Sequence, residues 1–302
     1  RDYSTKVDAL ARHDLFHNDT AASHSGYLTD EITTRARSFI ESHRTGPFFL
    51  EVAYNSTHWP FQPPVLAERH RLRRDEVRAA PNLEQRVAVL REGTRADYVA
   101  MLESADRGVG AILTTLDRLN LSRNTLVIFT SDNGGEWLSR NAPLFHRKFT
   151  LWEGGIRVPA HIRWPGRVPA GIVSRQVGIT MDLTASILSA AGVTPPPSYA
   201  AEGIDLIPLL AGRRTIERTL FWRTAAAGRL QRAVRRGRWK YLRDAGTTTG
   251  GGHEFLFDLQ ADIGERRDLT ATHATMLPEF RRLLTAWEAG VDSSRAALAS
   301  SP

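Results

Sequence analysis

Three groups of side chains in this sequence have types that suit metal or oxyanion chemistry: Asp132 with Asn133, Lys148, and His58. Asp132 and Asn133 close the run "LVIFTSDNGG", Leu126 to Gly135. A carboxylate and a side-chain amide oxygen are hard donors, suited to Ca²⁺ or Mg²⁺. Asn-Gly is equally a hairpin-turn signal, so these residues alone leave a turn and a metal site both open. Lys148 lies in "NAPLFHRKFTLWEGGIRVP". Its ammonium is a compact charge with three donors, matched to anionic oxygens, or else an ordinary surface lysine. His58 follows "FFLEVAYNST", in a loop stiffened by Pro60, Pro63 and Pro64. An imidazole there can hydrogen-bond a bound group or exchange a proton with it; the plain alternative is a histidine satisfied by its own loop.

Two of these groups stand at the ends of apolar runs. "LVIFTS" is too apolar to alternate, as expected of a strand buried on both faces. Open α/β sheets bind ligands at the carboxyl ends of such strands. The elements around them follow from periodicity. Leu28, Ile32, Ala36, Phe39 and Ile40 recur at helical spacing until Gly46-Pro47 breaks the pattern. "FFLEVAY" then reads as a short buried strand and "NSTHWPFQPP" as a loop. Tyr98, Met101, Leu102, Ala105, Val109, Ile112, Leu113, Leu116 and Leu119 trace one face of a long helix before "LVIFTS". Helix then strand, twice, predicts an α/β sheet with parallel strands. "IRVPAHIRWPG" predicts a further strand, and "TMDLTASILSAAG" a helix ending at Gly192. "TPPPSYAAEGIDLIPLLAG" reads as a loop-rich connection. Beyond it "TLFWRT", "RAVRRGRWKYLR" and "EFLFDL" read as short strands, "GTTTGGG" as a loop, and Met276 to about Ala289 as a closing helix. This predicts a small antiparallel sheet with a helix, appended to the α/β part.

Composition excludes several classes. With 302 residues, 41% hydrophobic and 24% charged, the chain can bury a large core. The formal charge of +7 is carried almost wholly by arginine, since only Lys6, Lys148 and Lys240 are lysines. Basic clusters such as "ERHRLRRDEVR" and "RAVRRGRWK" are interrupted by acids or apolar residues, and no nucleic-acid-binding motif is present, so no nucleic-acid partner is expected. No apolar run reaches the ~20 residues that span a bilayer. The absence of cysteine excludes disulfides and thiolate metal ligands. The chain begins Arg1-Asp2-Tyr3, with no signal segment.

The ordered set "GYLTD", "PFFLEVAYNSTHWPFQPP", "YVAMLESADRGVGAILTTLDRL", "NTLVIFTSDNGG", "NAPLFHRKFTLWEGGIRVPAHIRWPG" and "RRGRWKYLR…EFLFDLQADIGERRDL" resembles the sulfatase family, the formylglycine-dependent, arylsulfatase-like branch of the alkaline-phosphatase superfamily. The resemblance covers essentially the whole chain. It implies an alkaline-phosphatase-like α/β sandwich with a mostly parallel sheet and a small C-terminal antiparallel sheet with a helix. The expected division is 1–214 for a partial catalytic domain and 215–302 for a small C-terminal α+β subdomain. It further implies that Asp132 and Asn133 are metal ligands, for Ca²⁺ with Mg²⁺ as the alternative. Lys148 matches the lysine that contacts the sulfate and neutralises charge in the transition state. His58 matches a histidine that hydrogen-bonds the sulfate near the leaving oxygen. Both are thereby implied to be catalytic and substrate-binding.

Other family features have no counterpart here. These are an N-terminal Asp-Asp metal pair, a lysine, a second histidine, and the Cys or Ser followed by x-Pro-x-Arg that becomes formylglycine. The expectation is therefore a chain lacking the N-terminal part of the fold, inactive by itself and dependent on the missing half, where formylglycine would lie. The implied reaction is hydrolysis of a sulfated sugar or aryl sulfate with release of inorganic sulfate. The alternatives are a phosphodiesterase or phosphonate monoester hydrolase of the same superfamily, or a degenerate binding module. A periplasmic or secreted location is implied for the parent, lysosomal in a eukaryote.

Overall fold

The computed structural model describes residues 15–22, 26–64, 75–77, 79–196, 199, 202–226, 229–244 and 252–299. They fall into two compact units, 1–125 and 126–302.

In the first unit, β1 (Phe16–His17) and β2 (Thr20–Ala21) form a minimal antiparallel pair. Helices α1 (Leu28–Ser42), α2 (Leu83–Arg91) and α3 (Arg95–Arg118) follow. Asp30 and Glu31 in the first turn of α1 face the positive end of the helix dipole. A capping box starts α3: Asp97 N–H donates to Thr94 Oγ1 at 3.1 Å, and Thr94 N–H donates to the Asp97 carboxylate at 2.9 Å. Such a cap contributes about 1 kcal/mol. The predicted apolar stripes meet here, because α1 packs on α3 with Ala36, Ile40, Met101, Ala105 and Leu116 buried. Arg37 Nε donates to Thr115 Oγ1 across the pair at 3.1 Å.

The expected strand "FFLEVAY" is not one among the described residues. A strand requires ladder hydrogen bonds to a neighbour, and residues 47–55 have no ladder partner there. The alternation survives as burial: Phe48, Leu50, Val52 and Tyr54 are half-buried, whereas Phe49 is 68% exposed.

In the second unit, β3 (Val127–Thr130) precedes the single-turn helix α4 (Glu153–Ile156) and β4 (Ala160–Arg163). β3 pairs with β4 antiparallel, from Val127 opposite Arg163 to Thr130 opposite Ala160. Every ladder among the described residues is antiparallel. α5 (Thr180–Ala190) follows, where Asp182 is fully buried in the first turn. Its carboxylate accepts from Ile179 N–H at 2.8 Å, Ile204 N–H at 3.0 Å and Arg218 at 2.7 Å. The connection read as loop contains one short helix, α6 (Ile207–Ala211).

The antiparallel sheet predicted at the end is present as β5 (Thr219–Ala226), β6 (Arg229–Arg236), β7 (Trp239–Asp244) and β8 (His253–Asp258), in that spatial order. "RAVRRGRWKYLR" divides into β6 and β7 at Gly237, whose φ of +55° favours glycine. Most of "GTTTGGG" lies outside the described residues. The closing helix, α7 (Leu277–Ala299), runs longer than expected. One face of the sheet packs Val234, Tyr241 and Leu256 against Leu277, Phe280 and Leu284 of α7. The other packs Ala233, Leu242 and Phe257 against Leu151 and Trp152. The sheet is thus buried on both faces, and its second face holds the segment leading into α4.

Candidate active site

At the end of β3 the backbone speaks against the tight hairpin turn. The tight hairpin turns that Asn-Gly favours need a left-handed residue. None of Asp132, Asn133, Gly134 and Gly135 has a positive φ. The glycine at 134 serves close approach instead. Its N–H donates to Gly155 O at 2.9 Å, and a Cβ there would lie 2.0 Å from Gly154 O. Gly135 O accepts from Lys148 N–H at 3.1 Å and from Asn141 Nδ2 at 3.0 Å, while Gly154 N–H donates to Phe145 O at 2.8 Å. Backbone bonds therefore bring Asp132-Asn133 and the Lys148 segment together.

Asp132 is exposed, and its Oδ1 accepts from Asn133 N–H at 3.0 Å and Asn133 Nδ2 at 3.1 Å. With Asn133 Nδ2 turned onto Asp132 Oδ1 and Gly134 O, Asn133 Oδ1 and Asp132 Oδ2 have no hydrogen-bonding partner among the described residues. No cationic side chain pairs with Asp132 there. This all-oxygen donor set fits a hard cation. Ca²⁺ takes about six to eight oxygens. Among the described residues no group of three or more acids, histidines or cysteines could hold a metal ion, so these two oxygens alone do not make up a metal site there. Lys148 is half-buried between two left-handed residues, His146 at φ 63° and Phe149 at φ 71°. Its ammonium lies 5.3 Å from the centre of the Phe149 ring and meets no carboxylate among the described residues.

His58 belongs to the first unit. Its N–H closes a turn onto Asn55 O at 2.7 Å, and Ser56 Oγ lies 3.0 Å from Thr29 Oγ1 of α1. Tyr54 OH lies 2.8 Å from Thr33 Oγ1, a second tie to the same helix. The exposed imidazole donates from Nδ1 to Trp59 O at 2.5 Å, which leaves Nε2 as the other ring nitrogen.

A charged cluster was missed by sequence reasoning. Glu153, in the Trp-Glu-Gly-Gly segment, and Lys240 and Glu265 of the C-terminal part are all buried. Lys240 Nζ lies 2.9 Å from Glu153 Oε1 and 2.8 Å from Glu265 Oε1. Glu153 N–H donates to Glu265 Oε2 at 2.6 Å. Arg157 and Arg235 reach the other Glu153 oxygen at 3.4 and 3.7 Å. Burial raises the Glu153 pKa, but Lys240, Arg235 and Arg157 outweigh it and hold the carboxyl below its ordinary value. Burial dominates at Glu265, whose carboxyl is raised despite Lys240. The one available signal was Lys240 itself, a lysine where the chain otherwise uses arginine.

The Sulfatase family model matches residues 2–193. The chain belongs to the sulfatase family. It is 36% identical over 203 residues to the N-acetylgalactosamine-6-sulfatase of Canis lupus familiaris, covering 65% of this chain and 35% of that protein. Identity to the N-acetylgalactosamine-6-O-sulfatase of Bacteroides thetaiotaomicron is 28% over 282 residues, 85% of this chain and 50% of that one. Among solved structures, Ps i-CgsB superposes with a TM-score of 0.75 at 27% identity, covering 90% of this chain and 57% of that chain. The sulfatase chain described here thus spans about a third to a half of the curated relatives it matches. Its fold is the alkaline-phosphatase-like α/β fold, with a small antiparallel sheet and a helix at the C-terminal end. No helix among the described residues is long and apolar enough to cross a membrane.

Proposed function

We propose that this sulfatase chain serves the hydrolysis of a sulfate ester of a sugar, releasing inorganic sulfate. The observation that carries the reading is the backbone coupling of the Lys148 segment to the Asp132-Asn133 loop, through the Lys148 N–H on Gly135 O at 3.1 Å and Asn141 Nδ2 on the same oxygen at 3.0 Å. Lys148 binds the non-bridging sulfate oxygens and offsets the charge that grows on them in the transition state. His58, through Nε2, hydrogen-bonds the ester oxygen that leaves. Asp132 and Asn133 would contribute oxygen ligands to Ca²⁺, or Mg²⁺, which would supply Lewis-acid charge to the sulfate when bound. Residues 1–214 form the catalytic part and 215–302 a C-terminal subdomain that supports it. A periplasmic, secreted or lysosomal setting fits such a substrate. The preference for a sugar is supported by the relatives' names and by Ps i-CgsB having been crystallised with k-i-k-neocarrahexaose.

The test is turnover of N-acetylgalactosamine 6-sulfate, 4-nitrophenyl sulfate and a matched phosphate diester by the full-length protein. Sulfate release from the sugar, lost in Lys148→Ala, is the expected result. A preference for the phosphate diester overturns the reading.

A further inference from the structure

We infer that Glu265 and Lys240, far along the chain in the C-terminal part, are positioning residues for the Asp132-Asn133 and Lys148 segments. Side chains from this region hold the segment 151–155 by its backbone at two points. Leu151 N–H donates to Gln231 Oε1 at 2.8 Å, and Glu153 N–H donates to Glu265 Oε2 at 2.6 Å. Gln231 is itself fixed by its Nε2 donating to Asp244 at 2.8 Å. Lys240 clamps both glutamates from within the sheet, at 2.9 and 2.8 Å.

The held segment continues without slack into the candidate site. Gly155 O accepts from Gly134 N–H, directly after Asp132-Asn133, and Gly154 N–H donates to Phe145 O, three residues before Lys148. A Cβ on Gly154 would lie 2.3 Å from Phe145 O, and one on Gly155 2.1 Å from Thr150 O, so the strip packs backbone to backbone with no room for a side chain at either position. Glu265 is also in the left-handed region, φ 50°, a conformation that disfavours a residue with a Cβ. Its carboxylate reaches the Glu153 N–H from that conformation, so an irregular backbone and a buried acid converge on one peptide group. Outer groups of this kind set the orientation of those that touch a ligand.

For its activity arm this inference rests on the function proposed above; its exchange arm does not. The experiment compares Glu265→Ala, Glu265→Gln and wild type in the full-length protein. Amide hydrogen exchange is read at Gly134, Lys148 and Gly154, with the β6–β7 ladder as the internal control. Calcium affinity is read by calorimetry, with kcat and KM on the sugar sulfate. In Glu265→Ala, exchange at Gly134 and Lys148 rises about tenfold, calcium binding weakens about tenfold and kcat falls more than KM changes. The β6–β7 amides stay as slow as in wild type. Glu265→Gln, which keeps an acceptor for the Glu153 N–H, recovers most of each loss. Unchanged exchange at Gly134 and Lys148, or an equal rise throughout β5–β8, overturns the inference. If Glu265→Ala does not fold, Glu265→Asp, which keeps the charge and withdraws it by one methylene, is read in the same way. A wild type that hydrolyses no sulfate ester overturns the functional reading alone, and the exchange comparison still decides the positioning role.

Discussion

The loop after β3 and the cluster under the C-terminal sheet use the same chemical types, an acid and a lysine, in opposite environments. Asp132 is exposed and Lys148 half-buried, and neither pairs with an opposite charge among the described residues. Glu153, Lys240 and Glu265 are sealed from solvent and bonded to one another. Charges left unpaired at a surface cost the fold little and remain available to a ligand. Charges buried together are useful only if every partner stays, because a lone buried ion is strongly disfavoured. The difference separates charges left open to a ligand from charges committed to holding the fold.

Lys240→Met tests the buried side of this contrast most severely. It leaves two carboxylates facing each other in the interior, and is expected to cost ~3–5 kcal/mol in urea denaturation. A loss under ~1 kcal/mol would mean the cluster admits water. Lys148→Ala probes the other side. Here kcat is expected to drop by ~10²–10³, with denaturation unchanged to within ~0.5 kcal/mol. Gly134→Ala sits between the two regions. Its Cβ would lie 2.0 Å from Gly154 O, so the backbone must shift; ~1–3 kcal/mol of stability is expected to go, together with much of the activity.

The mildest test is pH. The hydrogen bond from Arg281 holds the Glu254 carboxyl below its ordinary value, against a partial burial that raises it. A carboxyl with a lowered folded value stabilises above the ordinary glutamate range, and that contribution is lost as pH falls through the folded value. Arg281→Ala should therefore lower the urea midpoint at neutral pH, with the gap to wild type closing as the solution becomes acidic. A gap that widens in acid would contradict the assignment.

How much of this was legible depended on the range of the interactions. α1, α3 and α5 were readable because their apolar spacing lies within the helix itself. The four-stranded sheet was readable in outline, yet "RAVRRGRWKYLR" concealed a turn, since alternation is blurred when both faces are buried. "FFLEVAY" has strand composition, but pairing depends on a neighbour that composition cannot name. Asp132, Asn133, Lys148 and His58 could be singled out by type and position, but only the family resemblance implied a role for them. Only the backbone could exclude the hairpin, through the φ angles of residues 132–135. Glu265 was invisible as a partner of Glu153, since 112 positions separate them and nothing local marks the contact.

The sealed position of Lys240 also turns the sparse lysines into a reporter. Amine-reactive reagents need an accessible, deprotonated nitrogen, so Lys148 is the described lysine they should acylate in the native protein. Lys240 becomes reactive only when β7 separates from the segment that carries Glu153. The rate at which label enters Lys240, followed by peptide mass, would time the opening of the C-terminal sheet without an introduced probe. The same measurement with excess sulfate present would show whether a ligand on the Lys148 loop slows that opening.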